Sequence, residues 1–256
     1  MDVNNPKISV IIITKNRASF IAKAIESVLN QTFTDWELII LDNDSNDGTE
    51  GIVACYKAKD NRIKYQKNPK DQGISKSRNV AISLSRGKYI AMLDSDDYWI
   101  DKNKLQKQFD FLEKNPDFGM IGSAIVCVDK NGEKIRDYFY ETEDKKIRRR
   151  ILIRNQFTQS SVMFRKSVLD EIEGYSETLN VAEDFDLWLE IGRRYKFANL
   201  KDQTTAYTIH TGGVSKERKI EMAKTVNKII ERNKNNYPNY FIAKLSSIYR
   251  IIKAFI

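Results

Sequence analysis

The chain has 256 residues, 41% of them hydrophobic and 30% charged, with a net charge of +8. That is enough chain for one large α/β domain, or one domain with an appendage. No apolar run approaches the length that spans a bilayer, and Cys55 and Cys127 make neither a disulfide framework nor a zinc pattern.

Ile8 to Ile13 is Ile-rich and nearly unbroken, as a strand buried on both faces should be. It runs into Thr14-Lys15-Asn16-Arg17 and not a small-residue cleavage site, so a first strand is expected and not a signal peptide, with the protein in the cytoplasm. A helix follows from about Ser19 to Leu29, with Ile21, Ala24, Ile25 and Val28 on one face. Trp36 to Leu41 is the second strand, and Asp47-Gly48-Thr49 opens a helix through Tyr56. Arg62 to Tyr65 is a short strand, Ile74 to Leu84 a helix and Tyr89 to Leu93 a fourth strand. This rhythm predicts a parallel sheet with helices on both faces. Ligands of such sheets sit beyond the carboxyl ends of the strands, where Thr14 to Arg17, Asp42 to Asp47 and Asp94 to Asp97 all fall.

After a helix from about Lys102 to Lys114 the pattern changes. Gly119 to Val128 and Lys134 to Tyr140 read as an antiparallel hairpin across Asp129-Lys130-Asn131-Gly132, since Asn-Gly is a strong hairpin-turn signal. Glu141 to Arg150 is highly charged, a surface helix or a loop. Ser160 to Phe164 is a strand, Lys166 to Ile172 a short helix, Glu183 to Tyr195 a helix and Thr204 to Ile209 a last strand. From Lys216 the chain is helical and basic, broken near Tyr237-Pro238, with ten Lys and Arg against three Glu. A basic surface suits nucleic acid, anionic lipid or acidic substrates. With no RNA-binding motif or helix-turn-helix signature, nucleic acid is set aside as a partner.

The strand-end run Leu93-Asp94-Ser95-Asp96-Asp97 points to chemistry. Residues two apart on an extended chain face the same way, so Asp94 and Asp96 can converge. Converging carboxylates repel unless a positive group lies between them, and a hard divalent cation bridging to phosphate oxygens is a natural occupant. A solvated acidic turn is the plainer alternative for this D-x-D run taken alone.

Six segments in register resemble family 2 glycosyltransferases: Ile8 to Arg17, Ser27 to Thr32, Leu41 to Thr49, Gly73 to Asn79, Asp94 to Asp97, and Ala182-Glu183-Asp184-Phe185-Asp186-Leu187-Trp188. Tyr207 through Ser215 is similar to that family's late segment. The resemblance implies a GT-A (Rossmann-like) mixed sheet over residues 1–215. Within it, about 1–100 would bind the nucleotide sugar and 101–215 the acceptor, with 216–256 a basic helical extension. It implies an inverting enzyme that moves a sugar from a nucleotide-sugar donor, a UDP-sugar first, to a saccharide or lipid-linked saccharide of a bacterial surface glycan.

The resemblance also implies roles. Thr14, Asn16 and Arg17 match the loop that packs on uracil and ribose. Asp42 and Asn43 stand where the family often has two aspartates, the second accepting the base N3–H. An amide oxygen at Asn43 can still accept that proton, which keeps uracil or thymine open. Arg78 is a nucleotide contact or a salt-bridged helix residue. Asp96 is the expected direct ligand of Mn²⁺ or Mg²⁺. Asp94, with Ser95, holds ribose or a metal-bound water, and Asp97 supports the metal or caps the next segment. Asp184 is the expected general base, kept ionised by its place in the first turn of a helix. The bland alternative is an acid-first helix ending in Arg193 and Arg194. Glu183 and Trp188 are expected as support and core. His210, the only histidine, is structural or adds a metal or phosphate contact, and Gly212-Gly213 suggest a hinge for a closing loop. The amphipathic stretch Tyr237 to Ile256 lies on an anionic membrane, peripheral at the inner face, or packs on the catalytic domain or a second copy in a homodimer. Two rivals remain. A sugar nucleotidyltransferase needs a Gly-rich loop that Thr14 to Arg17 lacks, and a non-catalytic binding module is favoured only by Asn43.

Overall fold

The structure is a computed structural model that describes residues 5–210 and 218–255. Strands β1 (Ile8–Thr14), β2 (Trp36–Asp42), β3 (Ile63–Lys67) and β4 (Tyr89–Met92) alternate with helices α1 (Ile21–Leu29), α2 (Thr49–Lys57) and α3 (Ile74–Leu84). Next come β5 (Tyr98–Trp99), α4 (Lys104–Lys114), β6 (Phe118–Val128), β7 (Lys134–Tyr138) and α5 (Asp144–Ile151). Then follow β8 (Met163–Arg165), α6 (Glu183–Gly192), β9 (Lys196–Thr208), α7 (Lys219–Arg232) and α8 (Tyr240–Phe255). All strands join one sheet in the order β3-β2-β1-β4-β8-β6-β9-β5, with β7 on β6. β1 pairs in parallel with β2 and β4, and β2 with β3. Past β4 the sheet is mixed: β8 runs antiparallel to β4 and β6, while β6 and β9 are parallel. β6 and β9 therefore point the same way as β4, and their carboxyl ends share its edge.

Strand alternation divides the core into two layers. Ile11, Ile13, Ile39, Leu41, Ile90 and Met92 face one layer; Val10, Ile12, Leu38, Ile40, Tyr89 and Ala91 face the other. On the second layer α1 docks the stripe Ile21, Ala24, Ile25 and Val28, all buried. On the first, α6 buries Trp188 against Phe164 and Tyr175. The same layer takes in Ile229, Ile230, Tyr237 and Ala243 from the C-terminal helices. Tyr237 donates to the Leu189 carbonyl at 2.7 Å and Asn239 Nδ2 to that of Arg149 at 2.8 Å, so one side of the tail packs on the main fold.

Three local expectations change. The last strand begins at Lys196, not Thr204, because exposed Lys196, Lys201 and Asp202 mask the buried Phe197, Ala198 and Asn199. Tyr98–Trp99, unmarked by any periodicity, pairs with β9. Gln159–Ser161 forms a 3-10 turn and the strand starts only at Met163, because Ser160 turns its hydroxyl to Asp97. The Asn-Gly hairpin is present: the Gly132 N–H donates to the Asp129 carbonyl at 3.0 Å with Gly132 at φ 88°. Gly212 and Gly213 lie outside the described residues.

Candidate active site

The carboxyl ends of β1, β2, β4, β6 and β9 border one cleft with a volume of about 1210 Å³. Thr14, Asn43, Asp94, Asp96, Asp184 and His210 all line it. Arg17, Arg78 and Ser95 also face it, whereas Asn16 and Asp42 do not.

Those two residues hold loops. Asn16 has φ 52°, a left-handed conformation that Asn adopts more readily than most side chains. Its N–H donates to Ser45 Oγ and its Oδ1 accepts the Asn46 N–H, each at 2.9 Å. Asp42 is fully buried; one oxygen accepts the Ser45 N–H and the other the Tyr65 hydroxyl, both at 2.8 Å. The first and second strand ends are thereby locked together beneath the cleft.

Asn43 lines the cleft with its amide already engaged. Its Oδ1 accepts the Gln72 N–H at 3.0 Å and Asn68 Nδ2 at 3.1 Å, while its Nδ2 donates to Asp71. Asp71 also accepts Lys15 Nζ at 2.5 Å and the Gly73 N–H at 2.8 Å. The hydrogen bond from Lys15 holds the Asp71 carboxyl below the usual range, aided by Gly73. An ionised acceptor thus stands beside Asn43, supplied from a different loop. It escapes sequence reading because Asn68 to Gly73 has no periodicity; the amide at position 43 was the one signal to look for a nearby acid.

Arg78 settles as an ion-paired residue that also faces the cleft. Almost fully buried, it pairs with Glu183 and, at 3.0 Å, with Asp94, joining α6 to the end of β4. Burial opposes its charge, but the Glu183 and Asp94 carboxylates outweigh burial and raise its pKa. Burial raises the Asp94 carboxyl pKa despite Arg78. Asp97 points away from the cleft. Its oxygens accept Ser160 Oγ at 2.5 Å and the Thr208 N–H at 2.8 Å, and Ser160 Oγ accepts the Asp94 N–H at 3.0 Å. Burial, with Asp96 and Asp94 close by, pushes the Asp97 carboxyl up. In this position Asp97 fastens the D-x-D turn to β9.

Asp96 and His210 meet across the cleft, with His210 Nε2 2.9 Å from Asp96 Oδ2. Phe20 packs on the imidazole, ring centroids 4.9 Å apart, and Arg17 Nε lies 3.4 Å from the same carboxylate oxygen. Among the described residues no group of three or more His, Cys, Asp and Glu converges on one point. One carboxylate and one imidazole fit a divalent cation that takes its other ligands from a bound diphosphate and water; they do not make a closed all-protein cage.

Asp184 sits in the first turn of α6, where its Oδ1 accepts the Phe185 N–H at 2.7 Å. Ala182 just before it has φ 57°, a left-handed conformation that costs a β-carbon residue about 1 kcal/mol or more. The helix start was expected to keep Asp184 ionised. Instead burial, reinforced by Glu183, pushes its carboxyl up to about 7, because desolvation outweighs the Arg78 charge and the Phe185 N–H that favour the ionised form. Three cleft residues also carry buried polar atoms without a hydrogen-bond partner among the described residues: Thr14 Oγ1, Arg78 Nε and Gln159 Oε1.

Residues 9–173 match the model of the family described as Glycosyl transferase family 2. An uncharacterized glycosyltransferase of Methanocaldococcus jannaschii, MJ1057, is 34% identical over 212 residues, 81% of this chain and 72% of the relative. The Escherichia coli protein named UDP-Glc:alpha-D-GlcNAc-diphosphoundecaprenol beta-1,3-glucosyltransferase WfaP is 31% identical over 223 residues, 86% of this chain and 84% of the relative. Among solved structures, S. aureus TarS 1-349 in complex with UDP-GlcNAc superimposes with a TM-score of 0.70 at 22% identity, covering 97% of this chain and 71% of that one. Mannosyltransferase PcManGT from Pyrobaculum calidifontis, in complex with GDP-Man and Mn²⁺, gives 0.73 at 15% identity, covering 99% and 74%. Those likenesses show the fold, which is GT-A.

Proposed function

The chain belongs to glycosyl transferase family 2, and from that premise we propose a metal-dependent, inverting enzyme that moves a sugar from a UDP-sugar to a saccharide or lipid-linked saccharide of a bacterial surface polysaccharide. The observation that carries this reading is the single cleft onto which Asp96 and Asp184 both open. Asp184 accepts the proton of the acceptor hydroxyl as its oxygen bonds to the anomeric carbon. The bond from that carbon to the nucleotide diphosphate breaks on the other face, so one displacement inverts the centre. Arg78 and Glu183 position the two walls. Asp96 and His210 would hold Mn²⁺ or Mg²⁺, which when bound supplies Lewis-acid neutralisation of the departing diphosphate. Asp71, acting beside Asn43, accepts the imide N–H of the uracil ring, since the Asn43 oxygen already takes two hydrogen bonds.

Calorimetry of UDP binding tests the reading. UDP binds about tenfold or more tightly with Mn²⁺ than with chelator, a difference of about 1.4 kcal/mol or more, and Asp96→Ala abolishes the difference. Equal affinity in the two conditions removes Asp96 as a metal ligand.

We place the enzyme at the inner face of the membrane through α8. Its outer face exposes Phe241 (80%) and Leu245 (70%), with Tyr249, Ile252 and Phe255 along the same stripe; no helix among the described residues is long and apolar enough to cross a bilayer. A basic amphipathic helix of this kind lies in an anionic interface. Tyr237 and Ala243 belong to the core, so truncation at Tyr237 would damage the fold and substitution is the better test. Leu245→Glu with Ile252→Glu lowers co-sedimentation with phosphatidylglycerol vesicles and leaves the melting temperature unchanged. Undiminished co-sedimentation excludes α8 as the anchor.

A further inference from the structure

The cleft also carries cations that the reaction as described does not use. Arg136 of β7, Arg154 beyond α5, Arg218 ahead of α7 and Arg250 of α8 all line it. Among the described residues, Arg136, Arg154 and Arg250 form no ion pair with a carboxylate, and Arg218 reaches only Glu221 at 3.9 Å. Arg250 is half-buried and pinned: it donates to the Ile153 carbonyl and, at 3.2 Å, to Ser246 Oγ. Arg154, the next residue along, is set over the Tyr138 ring at 4.3 Å. Burial and the neighbouring Arg154 charge both depress the Arg250 pKa.

Arg154 is exposed and Arg250 half-buried beside it, and two like charges this close favour an anion that joins them. The planar fork of Arg matches phosphate oxygens in pairs. The donor diphosphate has its own partners at the strand ends, where Asp96, His210 and Arg17 gather. These four arginines come instead from β7, the segment after α5 and the tail. The helix that carries Arg250 also exposes Leu245, Tyr249 and Ile252, on a different face from Arg250.

We propose that Arg154 and Arg250, flanked by Arg136 and Arg218, form a second anion subsite that binds a phosphate or diphosphate group on the acceptor. The subsite rests on the glycosyltransferase reading and narrows its acceptor to a phosphorylated one, whether a lipid phosphate or a soluble phosphosugar.

Calorimetry with UDP and Mn²⁺ held saturating tests it, with octyl phosphate and inorganic phosphate as probes. Octyl phosphate binds the wild type, and Arg154→Gln with Arg250→Gln weakens it about tenfold or more, as the loss of charge-assisted contacts implies. Arg154→Lys with Arg250→Lys retains part of the affinity, which separates charge recognition from misfolding. Octyl phosphate binding more tightly than inorganic phosphate supports the subsite with a lipid source; equal affinities support it with a soluble one. The proposal is overturned if octyl phosphate does not bind, or if the Gln pair binds it like the wild type. It is equally overturned if UDP affinity falls in step with phosphate affinity, which would assign these arginines to the donor. Hydrolysis of UDP-sugars in water is measured separately. Its absence counts against the glycosyltransferase reading alone, since phosphate binding is scored without turnover.

Discussion

Asp184→Asn retains UDP affinity and loses sugar transfer by about a thousandfold, within the ~10²–10⁴ that a positioned general base contributes. The substitution keeps size and hydrogen-bonding shape but removes the group that can take a proton. In the proposed reaction Asp184 acts on the acceptor hydroxyl and not on the nucleotide, so nucleotide binding has no cause to change. The wild-type pH profile follows from the same environment. With burial and Glu183 pushing the carboxyl up to about 7, Asp184 is protonated and inactive as a base below that pH and ionised above it. Transfer therefore rises with pH through about 7 and levels off on the alkaline side, with kcat measured at saturating donor and acceptor. A variant that keeps activity within a few-fold, or a flat profile from acid to neutral pH, removes Asp184 from the proposed role.

Arg78→Met destabilises the protein by about 3–5 kcal/mol, the usual cost of removing one partner from a buried ion pair. For a chain of this size that corresponds to a fall in melting temperature of about 10 °C. Arg78 lies between Glu183 and Asp94, so its loss leaves two carboxylates in a poorly solvated wall with no cation between them. Activity falls with stability, because the same guanidinium ties the helix carrying Asp184 to the strand end carrying Asp94 and Asp96. Adding Glu183→Gln to Arg78→Met recovers part of the lost stability, a coupling that a double-mutant cycle in urea measures directly. Additive effects of the two substitutions would show that the pair is no energetic unit.

Much of the fold was legible because its signals are local. The unbroken Ile8–Ile13 run, the α1 stripe and the Asn-Gly hairpin each report the conformation of the residues that carry them. β9 was half-missed because its first half is charged on the exposed side, and Tyr98–Trp99 because two residues hold no period. In the site, Asp71 was passed over for the same reason: a carboxylate in an aperiodic loop gains meaning only when Asn43, 28 residues away, is seen donating to it.

The sequence by itself determined most of the order of strands and helices, the polar clusters at the carboxyl ends and the residue types available for nucleotide, cation and base. Hydrophobic period and strand-end composition do not depend on distant contacts. Only the tertiary structure decided what each side chain does. It turned Asp97 inward to hold β9 while Asp96 faces His210, spent Asn16 and Asp42 on loops, and joined Arg78 to Glu183 across 105 positions of chain. It also buried Asp184 deeply enough to reverse the effect of its helix start. Side-chain direction, desolvation and charge pairing depend on neighbours that folding supplies, and no local pattern encodes them.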